Sequence, residues 1–141
     1  MSTIDTLIRV HRWKLDERRR QLGELERLFE RLGNEAARLV QELTREQQVA
    51  GTSPEASYAY AGYARDLIAR RQKLAASIGE VETQLVVARE ALAESYGEVK
   101  RYEIAAANRQ KRDRAAVDRR QRIVQDEVAM QVHRRRSEAG S

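Results

Sequence analysis

The chain has 141 residues, of which 35% are charged and 5% aromatic, with one proline, no cysteine and a net charge of +5. This length allows one domain at most, and the composition is typical of long helices rather than of a globular enzyme core. The missing cysteines exclude disulfides, thiolate metal sites and thiol nucleophiles.

The first ten residues lack the basic and apolar segments of a signal peptide, and the chain has no apolar run long enough to cross a bilayer. We therefore expect no membrane span and a cytoplasmic location.

A first helix is predicted over about residues 3–50. Its apolar side chains recur at alternating steps of four and three, which is the spacing of a coiled-coil seam. Ser2 or Thr3 supplies the amino-terminal cap, and Asp5 lies favourably in the first turn. Ten of the twelve seam positions are apolar, namely all except His11 and Arg18 in the set Ile4, Ile8, His11, Leu15, Arg18, Leu22, Leu25, Phe29, Leu32, Ala36, Leu39 and Leu43.

A short turn is predicted at residues 51–54. Gly51 suits the left-handed conformation that closes many helices, Ser53 can cap the next helix, and Pro54 fits a first helical position. Because so short a connection forces its two helices to lie side by side, the sequence predicts an antiparallel helical hairpin.

The second helix is predicted over about residues 54–136, and it carries the same spacing from Tyr60 to Ala106. Folding at the turn places residues whose numbers sum to about 106 or 107 opposite one another. Leu25 then faces Val81 and Leu39 faces Leu67, while the exceptional Arg18 faces the small Ala88. The predicted fold is all-α: one antiparallel two-helix coiled coil over residues 1–141, with an extended carboxyl-terminal helix.

Beyond Ala106 the second helix has no partner within the chain, because Ile4 already faces Tyr102. Residues 100–136 hold twelve basic and five acidic side chains, so the positive excess of the chain is concentrated there. We expect this end to fray unless bound, and to attract an acidic partner.

No catalytic, cofactor or metal site is predicted. His11 and His133 are far apart in sequence, and no glycine-rich phosphate loop is present. Three tyrosines crowd the start of the second helix, at positions 58, 60 and 63. They cannot all face the seam, so at least one is expected to be exposed near the turn.

The unequal arms, the short turn, the stretch from Tyr102 to Arg114 and the run from Gln125 to Ala129 resemble the FliJ family of the bacterial flagellum, which is related to the YscO-type injectisome proteins. The resemblance implies a non-enzymatic stalk that inserts its terminal end into a hexameric export ATPase and contacts the export gate at the inner membrane. Some members of the family also handle export chaperones.

Carried onto this chain, the resemblance implies an ATPase-binding set and a gate-binding set. The first set is Arg112, Arg119, Arg120, Arg122, Asp126 and Glu127, and the second is Tyr58, Tyr60 and Tyr63.

Two alternatives stay open. The basic end suits a nucleic-acid-binding arm, although interspersed Asp113 and Asp118 argue against phosphate binding. A homodimeric scaffold would instead pair two such ends through Ile123 and Met130.

Overall fold

The computed structural model describes residues 2–140. Two long helices pack against each other, α1 from Thr3 to Ala50 and α2 from Pro54 to Ala139, and no strand occurs among these residues. The predicted all-α hairpin is therefore confirmed, and α2 continues as helix three residues beyond its predicted end.

A reciprocal cap begins α1. The Ser2 hydroxyl accepts a hydrogen bond from the Asp5 backbone N–H at 3.3 Å, and the Asp5 carboxylate accepts one from the Ser2 backbone N–H at 3.2 Å. This arrangement satisfies two backbone donors that the helix itself leaves without partners. The cap predicted at Ser2 or Thr3 is thus provided by Ser2, and the bond from the Ser2 N–H to the Asp5 carboxylate is an addition to the prediction.

The turn is held by hydroxyl groups. The Thr52 hydroxyl donates to the Val49 carbonyl at 2.7 Å, and the Ser57 hydroxyl reaches back from α2 to the Ala50 carbonyl at 2.7 Å. Ser53 caps α2, since its hydroxyl accepts from the Ala56 N–H at 3.1 Å. The prediction of a left-handed conformation at Gly51 is wrong, since no residue in 2–140 has a positive φ. The Thr52 and Ser57 hydroxyls satisfy the carbonyls at the end of α1 instead.

The chain divides into two compact units, each made of segments from both helices. The first comprises Met1–Val10 and Glu98–Ser141, and the second comprises His11–Gly97. Organisation of the whole chain as a single domain stays a prediction.

In the unit His11–Gly97, the seam is the core. Leu15, Leu67, Val81 and Leu85 are buried, and so is the polar Ser95. Arg18 and Ala88 line the same groove, and Leu15 and Leu92 line another depression, as the predicted register requires.

Two seam positions of this unit are exposed, and one of them departs from the prediction. Phe29, expected on the seam, is 38% exposed. Arg71, at the seam position predicted to face the small Ala36, is also exposed, as expected for an arginine whose head reaches water. Their neighbours on the seam, Leu32 and Leu74, are half-buried. In a two-helix seam no third layer covers the outer edge of a side chain, so apolar seam residues keep part of their surface in water.

In the other unit, the start of α1 lies against α2. Ile8 and Val99 are buried, and Ile4, Tyr102 and Ala106 are half-buried. From Ala107 to Gly140 every residue is exposed. The cover over α2 therefore ends at Ala106, as the register predicted, although the helix continues to Ala139.

Candidate binding surfaces

We call residues 107–139 of α2 the exposed segment. All six candidate ATPase-binding residues lie on it, and all six are exposed. Since successive helical residues are rotated by about 100°, Arg112, Arg119, Arg122 and Asp126 fall on one face of the helix. Arg120 and Glu127, seven residues apart, fall on another. The candidates therefore form two groups rather than one continuous patch.

One residue of the exposed segment, Arg109, acts electrostatically on Asp5 at the start of α1. Hydrogen bonds from the Ser2 hydroxyl and backbone N–H lower the pKa of the Asp5 carboxyl, and the positive charge of Arg109 lowers it further. Arg109 therefore lies near enough to the α1 terminus for its charge to act there.

The three candidate gate-binding tyrosines have different surroundings. Tyr58 is 87% exposed, and Tyr60 is half-buried on the seam. The Tyr63 hydroxyl lies 3.5 Å from a Glu42 carboxylate oxygen on α1. Partial burial raises the pKa of the Tyr63 phenol, and the negative charges of Glu42 and Glu46 raise it further. Tyr58 is thus the most exposed of the three rings and Tyr63 is 38% exposed, so at least one of the three is exposed near the turn, as expected.

The sequence interpretation missed a groove in the unit His11–Gly97. It has a volume of about 1230 Å³, and both helices line it. Leu28 and Val87 form part of its apolar surface, and Arg18, Arg27 and Arg31 also line it. Leu28 and Val87 stand beside the seam positions Leu25 and Ala88. Apolar residues next to the seam were therefore the sequence signal that could have predicted the groove.

Among residues 2–140, no three histidine, cysteine or acidic side chains are grouped as metal ligands. His11 is half-buried and His133 is exposed on α2. None of the helices in this part of the chain is both long and apolar enough to cross a bilayer.

The chain matches the family described as flagellar FliJ protein over residues 1–138. It belongs to the FliJ family. FliJ proteins are non-catalytic components of the flagellar export apparatus, so membership associates this chain with flagellum biogenesis and protein export. No curated protein and no solved structure matches the chain.

Proposed function

We propose that the chain is a non-enzymatic coupling stalk of the flagellar export apparatus. Its terminal end enters the centre of the hexameric export ATPase, and its turn end contacts the export gate, which makes it a cytoplasmic protein peripheral to the inner membrane. One observation carries the proposal: α2 extends as an exposed, basic helix beyond the cover of α1, over residues 107–139.

An uncovered helix of this length suits a surrounding partner. Most helix stability in proteins comes from packing, and the exposed segment lacks packing from α1. The arginines on its surface can make charge-assisted contacts all around the helix axis, which a ring-shaped partner would supply. The FliJ family membership supports an export ATPase as that partner.

The turn end suits a different contact. Tyr58 and the 51% exposed Val49 place apolar surface close to the turn, and exposed aromatic rings are enriched in protein interfaces. We assign this surface to the export gate, and export chaperones are further candidate partners of the chain.

ATPase stimulation tests the first contact. Arg112, Arg119 and Arg122 lie on one face, and replacing all three with Glu should abolish most of the stimulation of the export ATPase. Added salt should weaken stimulation by the unaltered chain, because exposed charge pairs are screened.

A matched control replaces three exposed arginines of the other unit, Arg38, Arg45 and Arg70, with Glu. The change in net charge is the same, and stimulation should persist. Full stimulation by the triple variant of the exposed segment would contradict the proposed ATPase contact.

Gate binding tests the second contact. Tyr58→Ala should weaken binding to the cytoplasmic part of the gate, whereas Tyr58→Phe, which keeps the ring, should bind nearly as well as the unaltered chain. Equal binding by all three proteins would remove Tyr58 from the gate surface.

A nucleic-acid-binding arm is the competing function that the same exposed arginines support. It predicts that native pull-downs recover RNA or DNA rather than the ATPase, with affinity falling steeply as salt rises.

A further inference from the structure

The exposed segment carries an apolar stripe that the charge-based interpretation does not use. Val117, Val124 and Val128 are 49%, 58% and 53% exposed, and their spacing of seven and four puts them on one face of α2. Val99 lies on this face too, eighteen residues or about five turns before Val117. The stripe therefore continues the surface that α1 covers in the same unit, where Val99 is buried.

We propose that this stripe pairs with the same stripe of a second copy of the chain, in antiparallel orientation. In the register that we assign, Val117 faces Val128 of the second copy, and Gln121 faces Val124. A two-fold axis then passes between residues 122 and 123, so every contact occurs twice. This register differs from pairing through Ile123 and Met130, which lie on another face of the helix.

Charges beside the stripe agree with this register. Four charged residues follow one edge at intervals of seven and alternate in sign: Asp113, Arg120, Glu127 and Arg134. Flanking residues of an antiparallel pair meet diagonally, two positions off the register of the stripe, so Arg120 meets Glu127 of the second copy and Asp113 meets Arg134. Each pair occurs twice, so four opposite-charge pairs form and no like charges meet along this edge. Such flanking pairs commonly set the orientation and partner choice of coiled coils.

The length of the uncovered helix fits the same register. Pairing about an axis between residues 122 and 123 puts residue 106 opposite residue 139 of the second copy. Ala106 is the last half-buried residue of α2, and Ala139 is its last helical residue. The second copy would therefore cover the exposed segment from end to end and stop where α1 begins its cover.

The excess positive charge does not oppose this pairing directly. Arg112, Arg119 and Arg122 lie on the face turned away from the valine stripe, so they stay in solvent in the pair. Arg114 and Arg135 lie at the ends of the stripe itself, where the register puts them opposite the uncharged Gln131 and Gln110 of the second copy. Three valines per copy provide little apolar area, and the ion pairs are exposed. We therefore expect a weak, concentration-dependent dimer that salt destabilises.

Sedimentation velocity of the full chain, from about 10 µM to 1 mM at low salt, tests the proposal over the affinity range of weak complexes. The unaltered chain should convert from monomer to dimer. Arg120→Glu and Glu127→Arg should each weaken dimerisation about tenfold or more, because each variant replaces two attractive pairs with two repulsive ones.

Mixing the two variants provides the decisive arm. The glutamate introduced at position 120 of one variant faces the arginine introduced at position 127 of the other, and the native Glu127 of the first faces the native Arg120 of the second. An equimolar mixture should therefore form a heterodimer. The double variant Arg120→Glu/Glu127→Arg should also regain dimerisation. Arg119→Glu is the matched control, since it changes the net charge on the far face and should dimerise like the unaltered chain.

A chain that stays monomeric throughout this concentration range would overturn the proposal. So would a dimer that ignores both single variants, or two weakened variants that fail to associate when mixed. None of these measurements involves the export ATPase, so the pairing can fail while the proposed stalk function stands.

Discussion

At the scale of single residues, hydroxyl groups define the helix ends. Ser2 and Asp5 bond reciprocally at the start of α1, and Ser53 accepts the Ala56 N–H at the start of α2. These contacts use residues three positions apart, so the sequence alone could predict them.

The cap predicts the pH response of the α1 terminus. Because hydrogen bonds to the ionised carboxylate lower the pKa of Asp5, the cap is fully formed above the unfolded-state value of about 3.9. Its contribution to stability is lost as the pH falls through the lowered, folded-state pKa. NMR titration of the Asp5 carboxyl should show this midpoint, and Ser2→Ala should raise it. An unchanged midpoint in Ser2→Ala would contradict the assigned cause.

At the scale of helices, burial along the seam is uneven. Leu67 is 3% exposed whereas Phe29 is 38% exposed, although both occupy predicted seam positions. The heptad assigned both residues to the correct stripe but could not rank them, because burial also depends on the side chains opposite.

Aspartate substitutions should expose this difference. Leu67→Asp buries an unpaired charge and should lower the free energy of unfolding by about 3 kcal/mol or more. Phe29→Asp leaves the carboxylate access to water and should cost about 1 kcal/mol. Urea unfolding followed by circular dichroism measures both losses. Similar losses at the two positions would show that the burial of a seam residue does not determine the cost of placing a charge there.

At the scale of the whole molecule, the part of α2 that α1 covers differs from the part that carries most of the basic residues. The seam residues that α1 covers end at Ala106, and the basic residues of the exposed segment follow. We therefore expect folding of the covered part to depend little on the residues after Ala106, whose surface is open to partners.

Truncation tests this separation. A chain ending at Arg109 keeps Ile8, Val99 and the other buried residues, so its unfolding midpoint in urea should remain close to that of the full chain. Stimulation of the export ATPase should be lost. If the truncated chain failed to fold, residues after Arg109 would have to contribute to the core. If it still stimulated the ATPase, the contact would lie on another part of the chain.

The sequence by itself determined the two helices, the position of the turn, the register and the point where cover ends. All four follow from local signals: a repeat of three and four, capping residues, and a connection too short for any arrangement except neighbouring helices. The sequence also located the basic candidate ATPase-binding residues, because their exposure follows from the lack of a facing α1 segment beyond Ala106.

Only the tertiary structure decided how the candidates are distributed. It showed that Tyr58 is 87% exposed whereas Tyr63 is 38% exposed and bonds to Glu42. It also showed that Phe29 lies at the edge of the seam and that both helices form a groove around Leu28 and Val87. These outcomes depend on which side chains of the opposite helix stand at the same height. A repeat within one helix specifies the face that meets a partner, but it does not specify how completely that partner covers each residue.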